Sequence, residues 1–106
     1  MADVFKALAD PTRREILLMV AKEPTNVNDI AKRFTMSRPA ISRHIKVLRE
    51  SNLVSIEPGQ VDGRQLQCSA RLEALKEVED YMQELESFWR DRLSGLGRYL
   101  DEKSKE

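Results

Sequence analysis

The chain has 106 residues, of which 41% are apolar and 34% charged, and its formal net charge is zero. This length predicts one small domain, residues 1–106, and this apolar fraction is that of a globular protein. The single cysteine excludes an internal disulfide, and the longest apolar run, Ile16 to Ala21, is far too short for a membrane span. The first residues lack the basic-then-apolar pattern of a signal peptide, so we expect a cytoplasmic protein that does not contact a membrane.

The charge is distributed unevenly along the chain. Residues 30–49 contain six basic residues and no acidic residue, a local charge of +6, which the remaining residues balance. A local concentration of positive charge favours nucleic-acid binding even where the total charge is zero.

Two helices are predicted before residue 24. Apolar residues at helical spacing predict a short first helix that ends near Ala9. Asp10 followed by Pro11 is a strong signal for the start of a second helix, and Pro24 indicates its end. The predicted buried face of this second helix consists of Ile16, Leu17, Val20 and Ala21.

A helix-turn-helix is predicted over residues 26–51. Asn26 suits the N-cap of a short third helix, whose core face is Ile30, Ala31 and Phe34. A tight turn at 35–36 leads to a fourth helix, residues 37–51. Two short helices joined by a tight turn, the second of them basic, are typical of this motif.

The fourth helix has the pattern of a recognition helix. Ser37 suits its N-cap, and Pro39 falls in the first turn, where a missing N–H costs nothing. Its predicted buried stripe is Ile41, Ile45 and Leu48. At about 100° per residue, Arg43 and Lys46 lie farthest from that stripe.

The outward side chains of this helix favour double-stranded DNA as the partner. Arginine binds guanine edges through two hydrogen bonds in the major groove, whereas lysine more often meets a phosphate. The candidate contacts are Lys32, Ser37, Arg38, Pro39, Ala40, Ser42, Arg43, His44 and Lys46. The alternatives are a solvated basic face and a purely capping Ser37. For His44 they are packing at the edge of the core and titration as a switch.

A β-hairpin is predicted over residues 54–68. Asn52 suits the end of the preceding helix, and after it the apolar period changes to two, first at Val54 and Ile56 and later at Leu66 and Cys68. Turn residues dominate 58–63, so the hairpin has a polar tip and resembles the wing of a winged helix. Arg64, beside the tip, is a candidate for a minor-groove or phosphate contact, with simple exposure as the alternative. Cys68 is predicted to be a small buried residue, with redox sensing as the alternative.

A long last helix is predicted over about residues 70–100, with Ser69 as its cap. Its apolar residues recur every three or four positions and form a seam: Leu72, Leu75, Val78, Met82, Leu85, Trp89, Leu93, Leu96 and Leu100. The seam is longer than a small body can cover, so it predicts a homodimer. A ligand pocket between two such helices is the alternative use of Met82 and Trp89.

Three stretches resemble the arsenical-resistance repressor (ArsR) family of bacterial transcriptional regulators: Phe5–Leu17 its opening, Met36–Glu50 its recognition helix, and Asp62–Arg64 its wing. The resemblance covers roughly residues 3–96. It implies a mainly α winged helix-turn-helix with four N-terminal helices, a small β-hairpin and a long C-terminal dimerisation helix. It also implies a homodimer joined through the first and last helices, and repression from an inverted repeat near a promoter. The interface residues it implies are Val4, Phe5, Leu8, Leu75, Val78, Met82, Leu85, Trp89, Leu93 and Leu96.

The resemblance does not extend to the family's metal ligands. Metal-sensing members carry a cysteine pair in or just before the helix preceding the recognition helix, or Asp, His and Glu on the last helix. The matching stretch here, residues 26–34, contains no cysteine, and the last helix contains no histidine. One cysteine and one histidine cannot supply a thiolate or imidazole site of three or four ligands. We therefore expect no metal and no cofactor, and the sequence does not identify an effector.

The predicted function is that of a sequence-specific DNA-binding repressor, and the alternative is a winged-helix module that binds a protein. No catalytic motif supports an enzyme: no glycine-rich phosphate loop is present, and Ser42 and His44, two residues apart on a helix, do not face each other. RNA binding is disfavoured because no aromatic platform accompanies the basic residues.

Overall fold

The computed structural model describes residues 3–59 and 65–104, with side chains described for 3–59 and 65–95. Five α-helices and three β-strands are found in this part of the chain. In chain order they are α1 (Val4–Leu8), α2 (Pro11–Lys22), β1 (Thr25–Asn26), α3 (Val27–Lys32), α4 (Arg38–Glu50), β2 (Val54–Pro58), β3 (Leu66–Ala70) and, after a 3-10 turn at Leu72–Ala74, α5 (Leu75–Ser104). The chain divides into two compact units, Met1–Lys76 and Glu77–Glu106.

The first unit has the predicted mainly helical fold with a small sheet. Its strands form an antiparallel sheet in the order β1-β3-β2. Cys68 lies in the central strand, opposite Ile56 on one side and Thr25 on the other. The predicted hairpin is therefore present as β2 and β3, whereas β1 was not expected. β1 has only two residues, and its partner strand β3 lies some forty positions away in the sequence. No local sequence pattern therefore predicts it.

The core of this unit is made by one face of each helix. The buried apolar residues are Val4, Ala7, Ile16, Leu17, Val20, Val27, Ile30, Ile41, Ile45, Leu48, Leu53, Val54 and Cys68. α2 packs against α1, α4 and β3, and α4 also contacts α3 and β2. The stripe predicted for the fourth helix is thus confirmed as part of this core.

The predicted helix boundaries are largely confirmed by hydrogen bonds at the caps. Asp10 accepts the backbone N–H groups of Thr12 and Arg13 through Oδ1, at 2.8 and 3.1 Å. Asn26 accepts the N–H of Asn28 at 2.7 Å. Each cap satisfies a backbone donor that the first turn of a helix leaves unpaired.

Some sequence predictions about this unit were wrong. Ala21 is exposed, because α2 buries the face carrying Ile16, Leu17 and Val20 and turns Ala21 away. Ser69 does not cap the last helix: it pairs with Ser55 inside β3, and α5 begins at Leu75.

Val4 was expected at a dimer interface, and the structure places it in the core instead, 5% exposed. Val4 and Ala7 lie on one face of α1, three positions apart, and α1 packs against α2 and α4. Phe5, on another face of α1, is 37% exposed, and Leu8 is half-buried.

The second unit consists of α5 from Glu77 onward. Large apolar side chains remain about half exposed along it: Tyr81, Met82, Leu85, Phe88, Trp89 and Leu93. An ion pair joins Arg90 to Glu86 at 3.8 Å, and the Arg92 guanidinium lies 5.1 Å from the ring centre of Phe88. The side chain of Leu96 lies outside the described residues. Among the helices of residues 3–59 and 65–104, none has the length and apolarity that crossing a membrane requires.

Candidate nucleic-acid interface

One face of α4 packs into the core, and the opposite face, here called the outer face, is exposed to solvent. Ile41, Ile45 and Leu48 are at most 2% exposed and lie against the neighbouring helices and β2. Ser37 accepts the N–H of Ala40 through Oγ at 3.3 Å, which fixes where the helix begins. The side chains opposite the buried stripe therefore project into solvent.

The structure exposes most of the predicted DNA contacts. The exposed candidates on and next to α4 are Ser37, Arg38, Pro39, Ser42, Arg43 and Lys46, and Ala40 is half-buried. Exposed positive charge on a helix of this kind matches the phosphates and guanine edges of a major groove.

Two of the candidate lysines have acidic neighbours one turn away. Lys46 Nζ lies 4.0 Å from Glu50 Oε1, and Lys32 Nζ lies 3.9 Å from Asp29 Oδ1. All four side chains are at least half exposed. Exposed pairs of this length contribute little to stability, so either lysine can exchange its carboxylate for a phosphate at small cost.

Lys32 and Arg38 are brought together at the edge between α3 and α4. Both line a depression of about 360 Å³, together with Asn28 and Ala31. Arg38 donates a hydrogen bond from Nη1 to Oδ1 of Asn28. The basic surface thus extends from α4 onto the last turn of α3.

His44 is held by an arginine of α2. Arg13 Nη1 lies 3.3 Å from His44 Nδ1, and the same guanidinium donates to the carbonyl oxygens of Ala7 and Lys6 at 2.7 and 2.9 Å. Because a guanidinium has N–H donors and no acceptor, Arg13 is the donor in this contact. His44 therefore packs at the edge of the core, one of the roles that the sequence left open, and Arg13 ties the end of α1 to α4.

Asp10 lies beside this group. Burial acts to raise the pKa of the Asp10 carboxyl, but the Arg13 N–H, the His44 charge, the Thr12 N–H and the Arg13 charge outweigh it, so that the pKa is lowered. The carboxylate is therefore kept ionised, in the form that caps α2.

The wing is attached to α3 at its base. Gly59 donates its N–H to the carbonyl oxygen of Gln65 at 2.7 Å, where the two strands diverge into the tip. The amide Nδ2 of Asn26 donates to Oε1 of Gln65 at 2.6 Å. Arg64 lies outside the described residues.

The described residues do not form a metal site. Among them, no three His, Cys, Asp or Glu side chains are grouped so that they could hold a metal ion. Cys68 is fully buried, and burial raises the pKa of its thiol to about 11. A buried thiol that stays protonated at neutral pH is a poor nucleophile and a poor ligand, which favours the structural role over redox sensing.

Two residues at this surface were missed by the sequence reasoning. Arg13 carried a signal only as part of the stretch that resembles the family, and nothing in its local pattern points to His44. Asn28 carried no signal, because its contact with Arg38 depends on how α3 and α4 pack.

Comparison with known proteins identifies transcriptional regulators among the relatives of this chain. A family described as "Bacterial regulatory protein, arsR family" matches residues 10–55, which include α4 and the first residues of β2. The HTH-type transcriptional regulator Rv2034 of Mycobacterium tuberculosis is 34% identical over 97 residues, which cover 92% of this chain and 85% of that protein. The transcriptional repressor SdpR of Bacillus subtilis is 42% identical over 55 residues, covering 52% of this chain and 61% of that repressor.

A solved structure is similar over almost its whole length. The crystal structure of an ArsR family transcriptional regulator, RHA00566, superimposes with a TM-score of 0.73 and 32% identity. The match covers 85% of this chain and 97% of the other.

Proposed function

Because this chain belongs to the arsR family of bacterial transcriptional regulators and is itself a DNA-binding regulator, we propose that it is a homodimeric repressor that binds an inverted-repeat operator. The observation that carries this proposal is the outer face of α4. That face is exposed and basic, and the buried stripe opposite it fixes its direction. Residues 30–49 hold the +6 charge that a DNA contact needs in a chain of zero net charge.

Side-chain chemistry indicates which residues would contact bases and which would contact phosphates in each half-site. Arg38 and Arg43 are the candidates for guanine edges, because a guanidinium matches O6 and N7 with two hydrogen bonds. Lys32, Lys46 and Arg64 are the candidates for phosphates. We propose one functional domain, in which residues 26–51 act as the helix-turn-helix and the hairpin of β2 and β3 acts as the wing. In this proposal the dimerisation helix, predicted over about residues 70–100, is α5, which begins later, at Leu75.

The proposed dimer rests on the exposed apolar side chains of α5. Met82, Leu85, Trp89 and Leu93 are 49–61% exposed along one seam. Burial of this seam against a second copy would remove it from water. The resemblance to the family implies that α1, where Phe5 is 37% exposed, also contributes to the dimer. Two copies related by a two-fold axis would present two recognition helices to two half-sites.

The proposal has consequences for chemistry and location. The residues of the interface serve binding, and we assign no catalytic role to any of them. A regulator acts where the chromosome lies, so we place the protein in the cytoplasm.

Selection of bound fragments from genomic DNA, followed by sequencing, tests this function. We expect enriched fragments to share an imperfect inverted repeat, with half-site centres about one helical turn, roughly 34–36 Å, apart. Recovery of fragments without a shared sequence would contradict specific binding and favour a winged-helix module that binds a protein instead.

We also propose that regulation does not depend on a metal ion. Residues 26–34, where the family resemblance would place the cysteines of a metal sensor, contain no cysteine, and the lone Cys68 is buried. Addition of zinc, cadmium or arsenite should leave operator affinity unchanged, as measured by fluorescence anisotropy with and without chelator. Release of the operator by any of the three would overturn the assignment.

A further inference from the structure

Asn28 occupies a position between the two helices of the helix-turn-helix. It lies in the first turn of α3, and its side chain is exposed. Its Oδ1 accepts a hydrogen bond from Nη1 of Arg38, the first residue of α4. The contact therefore spans the turn between α3 and α4 and ends on a candidate base-reading side chain.

The backbone beneath Asn28 is anchored to the wing. The N–H of Asn28 donates to Oδ1 of Asn26 at 2.7 Å, and Nδ2 of Asn26 donates to Oε1 of Gln65 at 2.6 Å. One chain of amide groups thus runs from the base of the wing to the N-terminus of α4. The bond from Asn26 anchors the backbone of Asn28, and the Asn28 side chain makes the last contact of this chain, with Arg38.

The chemistry of the contact suits a residue that positions an arginine without neutralising it. A guanidinium has five N–H donors, so a single bond to Asn28 leaves four for DNA. The amide oxygen is uncharged, whereas Lys32 and Lys46 each have a carboxylate as their neighbour. Arg38 therefore keeps its full positive charge while its orientation is restricted.

Restricting the Arg38 side chain before binding reduces the conformational entropy that binding to DNA costs. A long exposed side chain loses conformational entropy when DNA fixes it, and a side chain already held in place loses less. Two parallel hydrogen bonds to one base also need a defined plane for the guanidinium.

We propose that Asn28 is a positioning residue for DNA reading, whose amide oxygen holds the Arg38 guanidinium in the orientation that reads one base pair of each half-site. The proposal rests on the proposed function, since it needs an operator that Arg38 contacts. It predicts that Asn28 affects sequence preference through Arg38 alone.

A mutant cycle on full-length protein tests the proposal. Affinity is measured for the selected operator, for operators changed at each base pair in turn, and for a scrambled duplex. Asn28→Ala should weaken operator binding by about three- to tenfold, the effect of one hydrogen bond, and relax preference at one base pair. It should leave the scrambled duplex unaffected. In an Arg38→Ala background, the same substitution should change nothing.

Asn28→Asp serves as the second variant. It keeps the acceptor oxygen, so it should preserve the base preference at that position. It adds a negative charge near the phosphates, so it should weaken operator and scrambled duplex alike. Thermal melts should show all variants folded, because Asn28 is exposed and alanine suits a helix better than asparagine.

The outcomes separate this proposal from the proposed function. A wild-type protein that binds the operator no better than the scrambled duplex would refute the function. A wild-type protein that discriminates, together with an Asn28→Ala variant that keeps full base preference or still weakens binding without Arg38, would overturn only the role of Asn28.

Discussion

Asp10 is the residue on which the start of α2 depends. Its carboxylate accepts two backbone N–H groups at 2.8 and 3.1 Å, and Pro11 behind it starts the helix with a fixed φ. The same residue lies beside Arg13, whose guanidinium joins the end of α1 to His44 of α4. A loosened α2 terminus would therefore loosen the support of α4 as well.

Replacement of Asp10 should destabilise the protein in a pH-dependent way. Asp10→Ala should lower the free energy of unfolding by about 1 kcal/mol at neutral pH, the usual effect of losing a side-chain cap. Because the pKa of Asp10 is lowered on folding, the part due to its charge is present above the unfolded pKa of about 3.9 and is lost as the pH falls through the folded value. Urea unfolding at neutral pH gives the full contribution of Asp10 to the free energy of unfolding. The same measurement at about pH 3 shows how much of that contribution depends on its charge.

Asp10→Asn is the matched control for this prediction. It keeps an acceptor oxygen without the charge, so it should cost less than alanine at neutral pH and remove the acid-dependent part. Equal stability of Asp10→Ala and wild type at neutral pH would contradict the capping role.

At the scale of the element, the end of α4 is defined by one residue with a positive φ. Asn52 has φ 61°, and its N–H donates to the carbonyl of Arg49 at 3.0 Å while that of Leu53 donates to Leu48 at 2.9 Å. This pair of bonds is the Schellman motif, which turns the chain out of a helix and satisfies its last carbonyls. This turn places Leu53 in the core, and β2 begins directly after it.

Two substitutions at Asn52 should differ in their effect on stability. Asn52→Ala should destabilise the protein by about 1 kcal/mol, because a Cβ disfavours the left-handed region and alanine lacks the polar group that makes asparagine tolerable there. Asn52→Gly should be neutral or slightly stabilising, since glycine adopts this conformation without strain. Thermal unfolding of both variants measures the difference, and an alanine variant as stable as the glycine variant would contradict this account of the turn.

The elements that could be predicted are those whose signals are local. Asp10, Asn26, Ser37 and Asn52 act on backbone groups within a few residues, so their types and positions were sufficient. The same reasoning misassigned Ser69, a good capping residue by type, because its place in β3 is decided by pairing with a strand fourteen positions earlier. Tertiary pairing outweighs local propensity at such a position.

At the scale of the whole molecule, the apolar seam of α5 has to be accounted for. Trp89 is 61% exposed and Leu85 is 52% exposed. A seam of this kind is an aggregation hazard unless another surface covers it.

The dimer prediction is tested by placing a charge on the seam. Trp89→Glu or Leu85→Glu should dissociate the dimer, because an unpaired carboxylate would be buried at the interface. Ser87→Glu is the control, since Ser87 lies on the opposite face of the helix and its variant should remain dimeric. Sedimentation should give about twice the chain mass of 12.2 kDa for wild type. A wild-type protein that sediments as a soluble monomer at micromolar concentration would refute the dimer.

The sequence was sufficient to predict the basic residues of the candidate site. It was not sufficient to predict the residues that hold His44 and Arg38 in place. Arg43 and Lys46 follow from the helical period, because the buried stripe determines which residues face outward. The contacts of Arg13 with His44 and of Asn28 with Arg38 cross between helices, and their partners are set by packing rather than by spacing.

The central claim is that α4 reads DNA sequence through arginines and holds the backbone through lysines. The most direct test compares Arg38→Ala, Arg43→Ala and Lys46→Ala on operator and scrambled duplex over a range of salt, with Lys22→Ala, an exposed basic residue outside 30–49, as the control. We expect at least one of the two arginine variants to lose about 1–3 kcal/mol on the operator and to relax one base preference. Lys46→Ala should weaken both duplexes and make the slope of log K against log salt shallower by about 0.9 per half-site. Equal weakening of the two duplexes by both arginine variants would contradict the account.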